Sequence, residues 1–119
     1  MAFVARTKRD VTYVIEYKGS KITGCPLTNK EATKLRKDFT KTKSTRNGVE
    51  EKLDIDAMLL AKFKRVIKSW DFVDEDGNAL PCDDDTKADF MDLNIVDALE
   101  IIQQFDELGA DQEVTDEKN

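Results

Sequence analysis

The sequence predicts a small α+β domain, mainly helical, in which an N-terminal β-hairpin precedes three or four packed helices. Three observations carry this. Apolar residues alternate over 11–17, recur at helical spacing over 49–70, and recur again at helical spacing over 95–108. The 119 residues suit one domain, expected over 1–109 with an acidic disordered tail at 110–119.

Val11, Tyr13, Ile15 and Tyr17 alternate with Thr12, Val14 and Glu16, the period of a strand with one buried face. Lys18-Gly19 supplies a turn, and Ile22 to Cys25 returns beside the first strand until Pro26, which has no N–H to pair. Residues 1–9 either extend the first strand or form a basic flexible arm. Thr28-Asn-Lys-Glu31 is a capping box. It opens a helix whose apolar face is Ala32, Leu35 and Phe39 and which ends near residue 42. The polar, cationic stretch 40–48 reads as a mobile loop.

The strongest helix is expected over 49–70. Leu53, Leu60 and Ile67 repeat every seven residues, with Leu59 and Val66, and Phe63 and Trp70, in register beside them. Asp74-Glu-Asp-Gly77 then forms a tight turn between short extended pieces, ended by Pro81. Asp85 or Thr86 caps a short helix holding Phe90, Met91 and Leu93. Asn94, with Asp97 three residues on, opens the last helix. Its apolar face is Ile95, Leu99, Ile102, Phe105 and Leu108, and Gly109 is its stop.

Charge is unevenly distributed. Residues 1–69 hold 17 Lys/Arg against 8 Asp/Glu, and residues 70–119 hold 2 against 17, balances of +9 and −15 within a net −6. These are either two solvated faces of one domain or complementary ends that meet, within one molecule or head to tail between copies. No apolar run reaches the roughly 18 residues of a membrane span, and the N-terminus has no secretory signal. The expected location is therefore the cytoplasm.

Several chemistries are disfavoured. Without histidine, the Ser-His and Cys-His pairs that activate nucleophiles near neutral pH cannot form. Cys25 and Cys82 lack the spacing of a zinc or redox motif and are expected to act as small buried hydrophobes. An EF-hand loop with Gly77 at its sixth position has Asp74 and Asp76 at its third and fifth. However, Phe72 occupies its first position and Asp83, shorter than glutamate, its twelfth. Asp83-Asp84-Asp85 is explained by a helix N-terminus, which favours negative charge. No metal, cofactor or catalytic residue is assigned. Lys30, Lys34, Arg36, Lys37, Lys41, Lys43 and Arg46 form a cationic patch, but no nucleic-acid-binding motif accompanies it and the acidic half would repel DNA.

The order of parts carries one resemblance. A strand-turn-strand ends in Cys25-Pro26-Leu27-Thr28. A capped helix, a cationic loop and a long helix closing on Val66-Ile67-Lys-Ser-Trp70 follow. Val73-Asp-Glu-Asp-Gly77-Asn-Ala-Leu-Pro81 and a final helix come last. Over residues 10–108 this resembles the tail assembly chaperones of long-tailed, siphovirus-type bacteriophages, with Trp70, Gly77 and Pro81 the most family-like structural residues. The resemblance implies a non-enzymatic assembly factor in the host bacterial cytoplasm, absent from the finished virion. Such proteins bind the tape measure protein, keep it soluble and help recruit tail tube subunits. Many are also made in a longer form by ribosomal frameshifting, and Glu117-Lys118-Asn119 could be encoded by an A-rich slippery stretch. The expected partners are the tape measure and tail tube proteins and further copies of this chain. Nucleic acid and membrane are not expected. Phe90, Met91, Leu93 and Ile95 are the candidate partner-binding residues. The alternative is a small acidic phage or prophage inhibitor, such as a DNA-mimicking decoy.

Overall fold

The computed structural model describes residues 2, 3 and 5–117, with side chains through 109. β1 (Tyr13–Tyr17) and β2 (Ser20–Gly24) pair antiparallel around Lys18 and Gly19, whose φ values are 49° and 86°. Two successive positive φ values give the primed turn whose twist matches that of the strands. β5 (Ile67–Trp70) adds to the other edge of β2, giving the order β1-β2-β5. The N-terminal segment does not extend β1. Arg6 instead donates to the carbonyls of Lys8, Arg9 and Pro26.

α1 (Asn29–Asp38) begins with the expected capping box. The Glu31 N–H donates to Thr28 Oγ1 at 3.2 Å and the Thr28 N–H to Glu31 Oε1 at 3.1 Å. The second Glu31 oxygen accepts from Arg65 Nε at 2.9 Å and also from Nη2. With Arg65 bound first and the Thr28 bonds added, the Glu31 carboxyl falls from 4.5 to about 2. A depressed carboxyl adds stability that is complete above its unfolded value and lost as pH falls from about 5 to about 2. Arg65 is 58% exposed, so water screens the pair and about 1 kcal/mol is expected. Urea midpoints of wild type and Glu31→Gln should differ at pH 7 and draw together as pH falls to about 2 and below. Equal midpoints at pH 7 would remove the bridge from the account.

The expected mobile loop and the first turns of the expected long helix are instead a second hairpin. β3 (Thr40–Thr45) pairs antiparallel with β4 (Gly48–Leu53), from Thr40 opposite Leu53 to Thr45 opposite Gly48. The helix expected over 49–70 is only α2 (Ile55–Val66). Asp54 cuts it at the front, its Oδ1 accepting from the Ala57 N–H at 3.2 Å. At the back, Ile67 takes extended angles (φ −78°, ψ 124°) and the chain joins β2, with Trp70 opposite Ile22. The seven-residue repeat of Leu53, Leu60 and Ile67 thus crosses three elements.

α3 (Asp84–Leu93) is capped by Asp83 rather than Asp85 or Thr86. Asp83 Oδ1 accepts from the Thr86 N–H at 2.7 Å, and its carbonyl accepts from Lys87 at 2.9 Å. The bonds from Thr86, with the Lys87 charge adding less, hold the Asp83 carboxyl below its ordinary value. Lys87 is a buried cation. Its Nζ donates to the carbonyls of Lys64 at 3.1 Å and Ile67 at 2.7 Å, acceptors left open where α2 unwinds.

α4 (Ile95–Glu117) packs against α2, α3 and β1. Ala98, Ile101, Ile102 and Phe105 are its buried face, together with Ile15, Tyr17, Ile22, Phe63, Val66, Ile67 and Met91 from the other elements. Ile95 and Leu99, expected inside, are 47% and 39% exposed. The helix does not stop at Gly109. A Cβ there would lie 3.1 Å from Pro26 Cβ, so the glycine permits close approach. The backbone stays helical to Glu117 through most of the segment expected as an acidic tail, while Lys118 and Asn119 lie outside the described residues.

The molecule is flat, 53 × 50 × 21 Å, with a radius of gyration of 17.1 Å, where a compact chain of ~100 residues has about 13 Å. The β3–β4 arm contains no buried residue.

Candidate functional site

The acidic turn after β5 is a miniature hairpin. The Leu80 N–H donates to the Phe72 carbonyl at 2.8 Å, Val73 bridges Ala79, and the Asp74 N–H reaches the Asn78 carbonyl at 2.9 Å. Asp74 Oδ1 accepts from the amides of Asp76 and Asn78, both at 2.9 Å. Gly77 sits at φ 82°, a conformation that favours glycine. The Asp74 carboxylate therefore organises the turn, and among the described residues no cluster of three carboxylates or thiols could hold a metal. Pro81 is exposed just beyond Leu80 and has no N–H to extend the ladder.

Trp70 anchors this loop. Its Nε1–H donates to the Leu80 carbonyl at 2.9 Å. Its ring lies 4.9 Å from Phe72, 5.4 Å from Phe90 and 6.3 Å from Phe63, centroid to centroid. Phe90 also stacks on Phe63 and Phe72 at 5.8 and 5.1 Å. Aromatic pairs at these separations add to simple burial.

The cluster floors an open cleft of about 520 Å³. Phe72, Leu80, Phe90 and Leu93 give it an apolar base, and Asp74, Glu75, Asp89 and Asp97 an acidic rim. At the β1–β2 turn, Lys18 Nζ meets Asp97 Oδ1 at 2.7 Å. The buried Tyr17 hydroxyl lies 2.6 Å from Asp97 Oδ1 and 2.5 Å from Glu100 Oε2. Burial, followed by these two carboxylates, pushes the Tyr17 phenol upward. Lys18 and then Tyr17 hold the Asp97 carboxyl down. Asp97 stands in the first turn of α4, as expected, and also ties that helix to the hairpin turn.

The four residues expected to bind a partner do not share one surface. Phe90 belongs to the aromatic floor, and Met91 is buried against the core. Leu93 lines the cleft and is 78% exposed. Ile95 lines a second groove of about 400 Å³ with Leu59, Leu60 and Met91. The reason is geometric, since neighbours in a helix point about 100° apart and the chain changes direction between α3 and α4 at Asn94. Val96 (66% exposed) and Leu99 were missed as surface residues. Val96 lies outside the apolar face read from the sequence, whereas Leu99 was counted within it because its spacing from Ile95 and Ile102 fits that face. Cys25 and Cys82 are free thiols, both half-buried. Burial raises the Cys82 thiol.

No protein-family model, curated protein or solved structure matches this chain.

Proposed function

We propose that this chain is a non-enzymatic tail assembly chaperone of long-tailed phages that binds the tape measure protein in the host cytoplasm and helps recruit tail tube subunits. The observation that supports this most is the α3–α4 corner. Leu93, lining one groove, Ile95, lining the other, and Val96 and Leu99 beyond them are all exposed there. A run of large apolar side chains rimmed by carboxylates suits an amphipathic helical client with basic flanks. Among the described residues no helix is long and apolar enough to cross a membrane.

The test is co-expression with the tape measure protein of the same phage, followed by pull-down and a solubility assay. A soluble complex should form with the wild type. Leu93→Asp with Val96→Asp should lose capture by on the order of tenfold or more, while stability stays within about 0.5 kcal/mol because both sites are on the surface. A client that is equally soluble and unbound with the wild type present would overturn the reading. The excess of carboxylates after residue 69 favours a second reading, an acidic decoy for a nucleic-acid enzyme. In that case a nuclease or polymerase would be captured, and the apolar substitutions would leave its capture intact.

A further inference from the structure

We infer that the β3–β4 arm of one copy docks, through its lysine face, into the acidic cleft of a second copy, joining molecules head to tail. The arm and the cleft carry this inference independently of what the client is.

The register divides the arm into two unlike faces, because residues directly opposite in an antiparallel pair point the same way. One face pairs Lys41 with Lys52 and Lys43 with Glu50. The other pairs Thr40 with Leu53, Thr42 with Glu51 and Ser44 with Val49. Arg46 stands exposed at the tip. The first face is thus cationic, and its Lys41–Lys52 pair sets like charges directly opposite, an arrangement that weakens a hairpin. A two-stranded hairpin without a core is marginal to begin with. An arm that needed only to hold itself together would not place a repelling pair next to its base. A negatively charged docking surface would relieve that repulsion.

Such a surface lies elsewhere on the same molecule. The cleft rim brings together Asp74, Glu75, Asp89 and Asp97, offset only by Lys18. Glu75 and Asp89 are exposed, and among the described residues neither is in an ion pair. Six-residue strands reach about 20 Å, long enough to enter a neighbour's cleft. The arm carries no buried residue, so both of its faces are open to a partner. The two surfaces differ, so the contact is heterologous and propagates into a ring or a filament.

Sedimentation of the full chain across concentration tests this. The wild type should self-associate at low ionic strength and dissociate in about 0.5 M salt, where charges are screened within a few ångströms. Lys41→Glu/Lys43→Glu/Lys52→Glu and, separately, Glu75→Lys/Asp89→Lys should each be monomeric. A mixture of the two should re-associate, because each then offers the other an oppositely charged partner. Lys41→Thr/Lys52→Thr guards against simple unfolding of the arm. It replaces a repelling pair with strand-favouring residues, so the arm gains stability while association weakens by on the order of tenfold. The lysine-face variant should still capture the client, which separates failure here from failure of the chaperone reading. A wild type that stays monomeric throughout, a threonine variant that associates as well as wild type, or a mixture that stays monomeric would overturn the inference. So would arm-dependent binding of an oligonucleotide by a monomeric protein.

Discussion

Trp70→Ala should destabilise the protein by about 3 kcal/mol or more, within the range for removing a large aromatic from packed surroundings. The ring touches Phe63, Phe72 and Phe90, and its Nε1–H holds the Leu80 carbonyl. Its loss therefore opens a cavity beneath the cleft and releases the far strand of the acidic turn. Trp70→Phe separates the two effects. It keeps most of the packing and forfeits the donor, at about 1–3 kcal/mol for a carbonyl left unpaired. Trp70 is the single tryptophan, so unfolding is followed by far-UV circular dichroism in urea. If Trp70→Ala unfolds at the wild-type midpoint, the aromatic cluster does not anchor the loop.

The second large effect is expected where β2 meets α4. Gly24 is buried, and a Cβ there would stand 2.8 Å from two Phe105 ring atoms and 2.9 Å from the Val66 carbonyl oxygen. That oxygen accepts from the Cys25 N–H at 2.9 Å, so it cannot retreat cheaply. Gly24→Ala should cost at least the 1–3 kcal/mol typical of overpacking. Phe105→Ala, at a fully buried site, should cost about 3–5 kcal/mol. A natural domain has only ~5–15 kcal/mol in hand, so either change threatens the fold. The pair should be coupled. Gly24→Ala with Phe105→Leu should be less destabilised than the two single changes summed, by ~0.5–3 kcal/mol for residues in contact. Strict additivity would mean that the α4 ring is not what excludes a side chain at Gly24.

The proposed function and the further inference use neighbouring surfaces for different partners. Leu93 lines the cleft that the arm would enter and also opens the apolar corner that would hold a client. A client seated on that corner would therefore reach the edge of the arm's docking site. Chain-to-chain association and client binding would then be coupled, with each affecting the other by the same factor in affinity.

Local chemistry was enough to read several features from the sequence. Thr28 and Glu31 form a capping box because both partners lie within one turn. Lys18-Gly19 and Asp74 to Gly77 make turns because the backbone there needs positive φ or a short acceptor side chain. The α+β class and the first hairpin follow from period-two and period-seven patterns. Each of these depends on residues at most seven positions apart. The tertiary structure decided the rest. Residues 49–53 carry apolar groups only at Val49 and Leu53, a spacing of four that suits a helix, and pairing with Thr40–Thr45 made them a strand. Ile67 to Trp70 left the helix because the edge of β2 offered hydrogen bonds that α2 could not. α4 carries two apolar faces, and only docking against β1 and α2 determined which became core and which stayed at the surface. Lys87, Gly24 and Gly109 carry no local signature, since their roles come from an open carbonyl pair, an aromatic ring and a proline on distant elements. The acidic cleft likewise joins residues 17–20 to residues 72–97, a proximity that burial of the shared core created and no short-range pattern encodes.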